Sequence, residues 1–264
     1  MNSDAILNKM PAFFIGHGSP MNAIEDNEFT KVWQDLAQKI PLPKSILCIS
    51  AHWETDGTYI TGMDNPKTIH DFGGFPQQLF DVQYNAPGNN ELATYIKSKI
   101  TKTDMLLDFN RWGLDHGTWS ILNKMYPSAE IPVIQLSLNK SLTFQQHYEL
   151  AQELSFLRNE GIMIIGSGNW IHNLSLLDWK YHHASYDWAG EINELIKKCI
   201  LIHDHDTLIN FQKNVPAFKL AIPTPEHFLP LLYILALQNK NEEVTIFNDQ
   251  IIMGSLNMTG VKIG

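Results

Sequence analysis

Apolar residues in this chain fall either into short unbroken runs or into helical stripes, and the two alternate. Phe13-Phe14-Ile15, Ile46-Leu47-Cys48-Ile49 and Ile162-Met163-Ile164-Ile165 are runs with no polar face. That pattern fits strands covered on both sides. Further strands are predicted at 58–62, 104–109 and 131–138. Pro132 stands near the start of the last of these, where a missing donor is tolerated. Between the strands, Phe29, Val32, Trp33, Leu36 and Ile40 recur at helical spacing, with Glu25, Asp26 and Glu28 at the dipole-favoured start and Pro41 and Pro43 as stops. Residues 91–100, 143–159, 188–203 and 228–237 also read as helices, with 206–221 only partly helical because of Pro216. Near the C-terminus, 244–247 and 250–253 are expected to form a hairpin through Asn248-Asp249, and 257–263 an edge strand.

Strand, helix and strand in direct succession predict parallel pairing with right-handed crossovers. The expected architecture is α/β: a single domain, 1–264, with a mostly parallel (mixed) central sheet and helices on both faces. If the first two runs pair, His17 and His52 stand side by side at one sheet edge. His172 follows the 162–165 run, and ligands in such folds sit beyond the carboxyl ends of the strands. The long stretch 64–88 interrupts the alternation. It carries Phe72, Phe75, Phe80 and Tyr84, and is expected either to wall an aromatic pocket or to pack on the domain by its own rings.

Composition narrows the function classes. A net charge of −9 leaves no basic stripe for nucleic acid. No run approaches the ~18 apolar residues of a membrane span. Residues 1–10 lack the basic start and apolar core of a signal peptide. The two cysteines, Cys48 and Cys199, make no disulfide framework, which fits a cytoplasmic setting.

Histidine carries the chemistry. Neutral imidazole is the commonest metal ligand, and sites that also bind substrate leave metal positions open, often with two His and one carboxylate. His17 and His52 are read as ligands, with Glu226 and His227 both candidates for the third. His147, on a polar stretch, is expected at the surface. His70 is expected to face solvent, and His182-His183 and His203-Asp204-His205 to be exposed and incidental. Gly166-Ser167-Gly168 lacks a complete phosphate-binding fingerprint, and Ser19 and Ser167 lack the hydrolase elbow.

Taken together, Gly16-His17-Gly18-Ser19-Pro20, Ser50-Ala51-His52-Trp53, Leu114-Asp115-His116-Gly117, Gly166-Ser167-Gly168-Asn169, His172-Asn173-Leu174 and Pro225-Glu226-His227-Phe228 resemble the class III extradiol ring-cleavage dioxygenases of the LigB superfamily. Among these the chain is most similar to the 4,5-DOPA extradiol dioxygenase group. The resemblance implies a non-haem metal and cleavage of a catechol ring by O₂, with DOPA as substrate opened to a seco-DOPA semialdehyde. It makes His17, His52, His172 and His227 metal residues. His17, His52 and His227 are expected nearest the metal. His172 is then either a fourth ligand in a zinc form or an acid/base group, and His116 an acid/base or substrate-binding residue. Ferrous iron would serve activity, and zinc would bind readily. A zinc hydrolase using the same histidines, or a non-catalytic metal-binding domain, are the competing classes.

Overall fold

The computed structural model describes residues 9–264; the stretch 1–8, most of the segment read as not being a signal peptide, lies outside them. The elements in order are β1 (Ala12–Gly16), α1 (Glu28–Gln38), β2 (Ser45–Thr55), β3 (Thr58–Thr61), α2 (Gln77–Phe80), α3 (Asn90–Lys99), β4 (Met105–Asp108), α4 (His116–Met125), β5 (Val133–Asn139), α5 (Phe144–Glu153), β6 (Ile162–Gly168), α6 (Asp187–Leu201), α7 (His205–Ile209), α8 (Phe211–Asn214), α9 (Phe218–Ala221), α10 (Leu229–Ala236), β7 (Val244–Phe247), β8 (Ile251–Ile252), β9 (Leu256–Asn257) and β10 (Gly260–Ile263). Eight strands form one mixed sheet in the order β4-β3-β5-β2-β6-β1-β10-β7. The pairs β1–β6, β2–β6, β2–β5 and β3–β4 are parallel.

The period of two explains the core. Ala12 and Phe14, Leu47 and Ile49, Ile162 and Ile164 enter one apolar cluster. Phe13 and Ile15, Ile46 and Cys48, Met163 and Ile165 enter the other. Residues of α3, α5, α6 and α10 complete the first cluster, and residues of α1 and α4 the second. The expected α/β domain with helices on both faces is therefore observed. Among the described residues no helix is long and apolar enough to cross a membrane.

Three expectations about pairing are corrected. β1 and β2 are not neighbours, because the wholly apolar β6 lies between them and pairs with both. The expected hairpin is absent: β7 pairs with β10 and β8 with β9. Positive φ occurs at Asn248 (50°), between β7 and β8, and at Met253 (50°), between β8 and β9. β10 is not an edge strand, for it lies between β1 and β7. The helix expected over 143–159 divides into α5, started by a Thr143–Gln146 capping box, and a 3₁₀ turn, Ser155–Glu160, closed by Gly161 at φ 86°.

Candidate active site

Backbone bonds at the end of β6 hold two histidines that are distant in sequence. His17 N donates to Gly168 O at 3.2 Å, and Asn169 N donates to His227 O at 3.0 Å. A Cβ on Gly168 would sit 2.2 Å from His227 O, so only glycine lets the two segments meet. His52 lies three residues past the apolar run Ile46-Leu47-Cys48-Ile49. It stands within β2, which runs to Thr55, and the register with β5 breaks between Ile49 and Glu54, the kind of irregularity that re-aims a side chain. His116 is the first residue of α4. Asp115 is the N-cap of that helix, accepting from Thr118 N. The Asp115 carboxylate also accepts from Ser50 Oγ at 2.7 Å, Gln135 Nε2 at 2.7 Å and Trp112 Nε1 at 3.2 Å. Burial, then the nearby Asp71 charge, push its pKa upward. His172 lies beyond β6, bridged to Leu256.

These five histidines line one cavity of about 320 Å³, with Phe72, Phe75, Leu174 and Leu177 among its walls. The His17 ring centroid lies 5.0 Å from His52, 5.6 Å from His116 and 5.1 Å from His227. His172 stacks on His227 at 3.5 Å. Burial above all, and then the neighbouring imidazoles, hold His17 and His227 well below the ordinary histidine range. The same causes lower His52 to about 3, although Asp71 opposes the shift, and lower His172 to about 4. These four rings are neutral near pH 7, as metal ligands must be.

The hydrogen bonds fix which nitrogens are bare. Ser167 Oγ donates to Gly117 O at 2.6 Å, so its contact with His17 Nδ1 at 2.8 Å is an acceptance from Nδ1–H. The Asp71 carboxylate accepts from His116 Nδ1 at 2.9 Å and lies 3.3 Å from His52 Nδ1. Burial works against ionisation of Asp71, but the His116 hydrogen bond and the two imidazoles outweigh it and hold the carboxyl below its usual range. With its Nδ1 proton so held by Ser167, His17 Nε2 presents a bare lone pair toward His52 Nε2, 3.2 Å away. A metal ion would take the His17 lone pair and, in place of the His52 Nε2 proton, the His52 lone pair as well. His227 Nδ1 is buried with no hydrogen-bond partner. Ligand atoms of His17, His52 and His116 lie within 4.8 Å of one another and could hold a metal ion; those of His172, Glu226 and His227 form a second such group. The donor set fits a metal, with carboxylate and hydroxyl groups behind the ligands as such centres require.

Residues 11–253 match the model of the catalytic LigB subunit of aromatic ring-opening dioxygenase. The chain belongs to the LigB family. A protein named 4,5-DOPA dioxygenase extradiol from Escherichia coli (strain K12) is 45% identical over 260 residues, covering 97% of this chain and 95% of the relative. One of the same name from Beta vulgaris is 36% identical, covering 90% of each. The crystal structure of an uncharacterized Escherichia coli K12 protein superposes with a TM-score of 0.84 at 40% identity, covering 97% of this chain and all of that one. This LigB-family chain is thus an extradiol ring-cleavage dioxygenase, and neither the hydrolase nor the non-catalytic class is favoured. All five histidines singled out in the sequence meet in its cavity. Glu226 does not line that cavity, and its Oε1 accepts from Thr224 Oγ1 at 2.8 Å.

Sequence reasoning missed Asp71, Ser167 as a histidine partner, and the capping role of Asp115. Only the last had a local signal, an acidic residue three before Thr118 at a helix start. Two histidines expected at the surface are corrected. His147 is buried and its Nδ1 lies 2.9 Å from Tyr233 Oη, because its face of α5 packs on α10 while Gln145 and Gln146 face outward. His70 is half-buried and donates through Nε2 to Val82 O at 3.0 Å. His182, His183 and His203 are exposed as expected, whereas His205 is half-buried against Tyr148.

Proposed function

We propose that this dioxygenase opens a catechol ring such as that of DOPA between carbons 4 and 5, consuming O₂ and giving a seco-DOPA semialdehyde. The observation that carries the reading is the bare His17 Nε2, 3.2 Å from His52 Nε2, in a largely apolar cavity lined by five histidines. His17, His52 and His227 would hold a ferrous ion, with His172 beside them as the fourth nitrogen of a zinc form. Bound ferrous iron supplies Lewis acidity toward the catechol oxygens and a path for electron density to O₂, which zinc, without redox chemistry, lacks.

The chain's own residues do the rest. His116 is held through Nδ1–H by Asp71, which leaves Nε2 as a base for a catechol hydroxyl proton and places a carboxylate where it stabilises the imidazolium that results. The same proton is then available to the ring-opened product. Phe72 and Phe75 wall the cavity and exclude water from the reacting ring. The stacked rings of His172 and His227 give a second flat face for an aromatic ring.

The test is anaerobic loading with Fe(II), followed by DOPA and air. O₂ uptake with a yellow ring-opened product is expected, and no uptake with any simple catechol would overturn the reading. His17→Ala is expected to abolish both metal binding and turnover.

A further inference from the structure

Beyond its histidines, the cavity is walled mainly by Phe72, Phe75, Leu174, Leu177, Met253 and Leu256, with Ser19 the one other polar side chain among the described residues, its Oγ accepting from Met21 N. Among the described residues, no Asp, Glu, Lys or Arg lines it. A catechol seated with its hydroxyls at the histidines must set its ring substituent against these side chains or out through the mouth, where Leu174 is 56% exposed. From this we infer that the site selects catechols by the apolar bulk of the ring substituent, and reads neither the charge nor the handedness of an amino-acid tail. The inference rests on the catechol dioxygenase reading and names the substrate class within it.

The physical basis is an asymmetry. An alkyl chain leaving water for this wall is stabilised, and each fully buried methylene strengthens binding by up to about fourfold. An ammonium or carboxylate against the same wall loses hydration and meets no opposite charge among the lining side chains. Either such groups stay in solvent and contribute nothing, or they enter and weaken binding. Holding one configuration at an α-carbon needs polar groups that grip both its ammonium and its carboxylate, and this wall offers only the Ser19 hydroxyl. DOPA is then accepted through its ring alone.

The experiment compares kcat/KM for 4-methyl-, 4-ethyl- and 4-propylcatechol with L-DOPA, D-DOPA, dopamine and dihydrocaffeate on the Fe(II)-loaded protein. Anaerobic Kd values for the same compounds are measured alongside. Expected are a rise along the alkyl series, 4-propylcatechol at least tenfold above L-DOPA, and L- and D-DOPA within about twofold of each other. A tenfold preference for L-DOPA over 4-propylcatechol, or for L- over D-DOPA, would overturn the inference. Should no compound consume O₂, the catalytic reading fails, and the order of the anaerobic Kd values still decides the inference. Leu177→Arg supplies the missing cation and is expected to raise dihydrocaffeate relative to dopamine about tenfold; an unchanged ratio would show that this wall does not meet the substituent, and would also overturn it.

Discussion

The Ser167 hydroxyl donates once, and Gly117 O takes that donation, so its remaining role is to accept from His17 Nδ1–H. Ser167→Ala frees the His17 ring to take the other tautomer and to rotate. Metal affinity measured by competition with a chelator is expected to fall about 10–100-fold while the far-UV spectrum is kept; unchanged affinity would contradict the tautomer assignment. Gly117 is constrained from the same side. A Cβ there would sit 2.5 Å from Ser50 Oγ and 2.9 Å from His52 Cδ2. Gly117→Ala should therefore destabilise the fold by about 1–3 kcal/mol and lower metal occupancy, both readable from denaturant and metal titrations. Residue identity was legible wherever a histidine stood beside glycine after an apolar run, as at His17. It was not legible where the partner is distant: Ser167 lies 150 positions from His17, and Asp71 lies 45 from His116. No local pattern marks such contacts.

Among the elements, the strands and helices could be read because an apolar run or a stripe is a local property. Pairing could not. The interposition of β6 between β1 and β2, and the separation of β7 from β8, depend on long-range packing that short sequence windows do not carry. α5 shows the same limit on its buried side. His147 reads as polar among polar neighbours, yet it packs on α10, where burial lowers its pKa to about 4. The sign of the consequence is fixed. The unfolded chain takes up this proton near pH 6.5 and the folded chain does so only near 4, so the contribution is complete above pH 6.5 and is lost as pH falls between them. From pH 6.5 to 5 this one group should cost about 2 kcal/mol. Urea midpoints at the two pH values should show His147→Gln with a shallower pH dependence than the parent chain, and identical slopes would contradict the assignment.

For the molecule as a whole, α/β architecture followed from the alternation of runs and stripes, and the site's place at the carboxyl end of the sheet followed from the architecture. Less visible was how the chain ends are tied. Arg158 is fully buried and donates to Met10 O, Leu237 O, Ile263 O and both carboxylate oxygens of Glu242. It thereby joins the lead into β1, the end of α10 and the last strand. Arg158→Met would remove the buried donor to three carbonyls and leave Glu242 only Lys9 and Asn239 N, and is expected to lower stability by about 3–5 kcal/mol in denaturant titration. The sheet and its tied ends serve to hold five histidines at one cavity, and the claim that matters most is what that cavity does. The most direct measurement is O₂ consumed against catechol lost on the Fe(II)-loaded protein, with peroxide assayed in parallel. The account predicts one O₂ per catechol, no peroxide, and no uptake by His17→Ala. Absence of uptake, or uptake that yields peroxide and quinone in place of an opened ring, would contradict it.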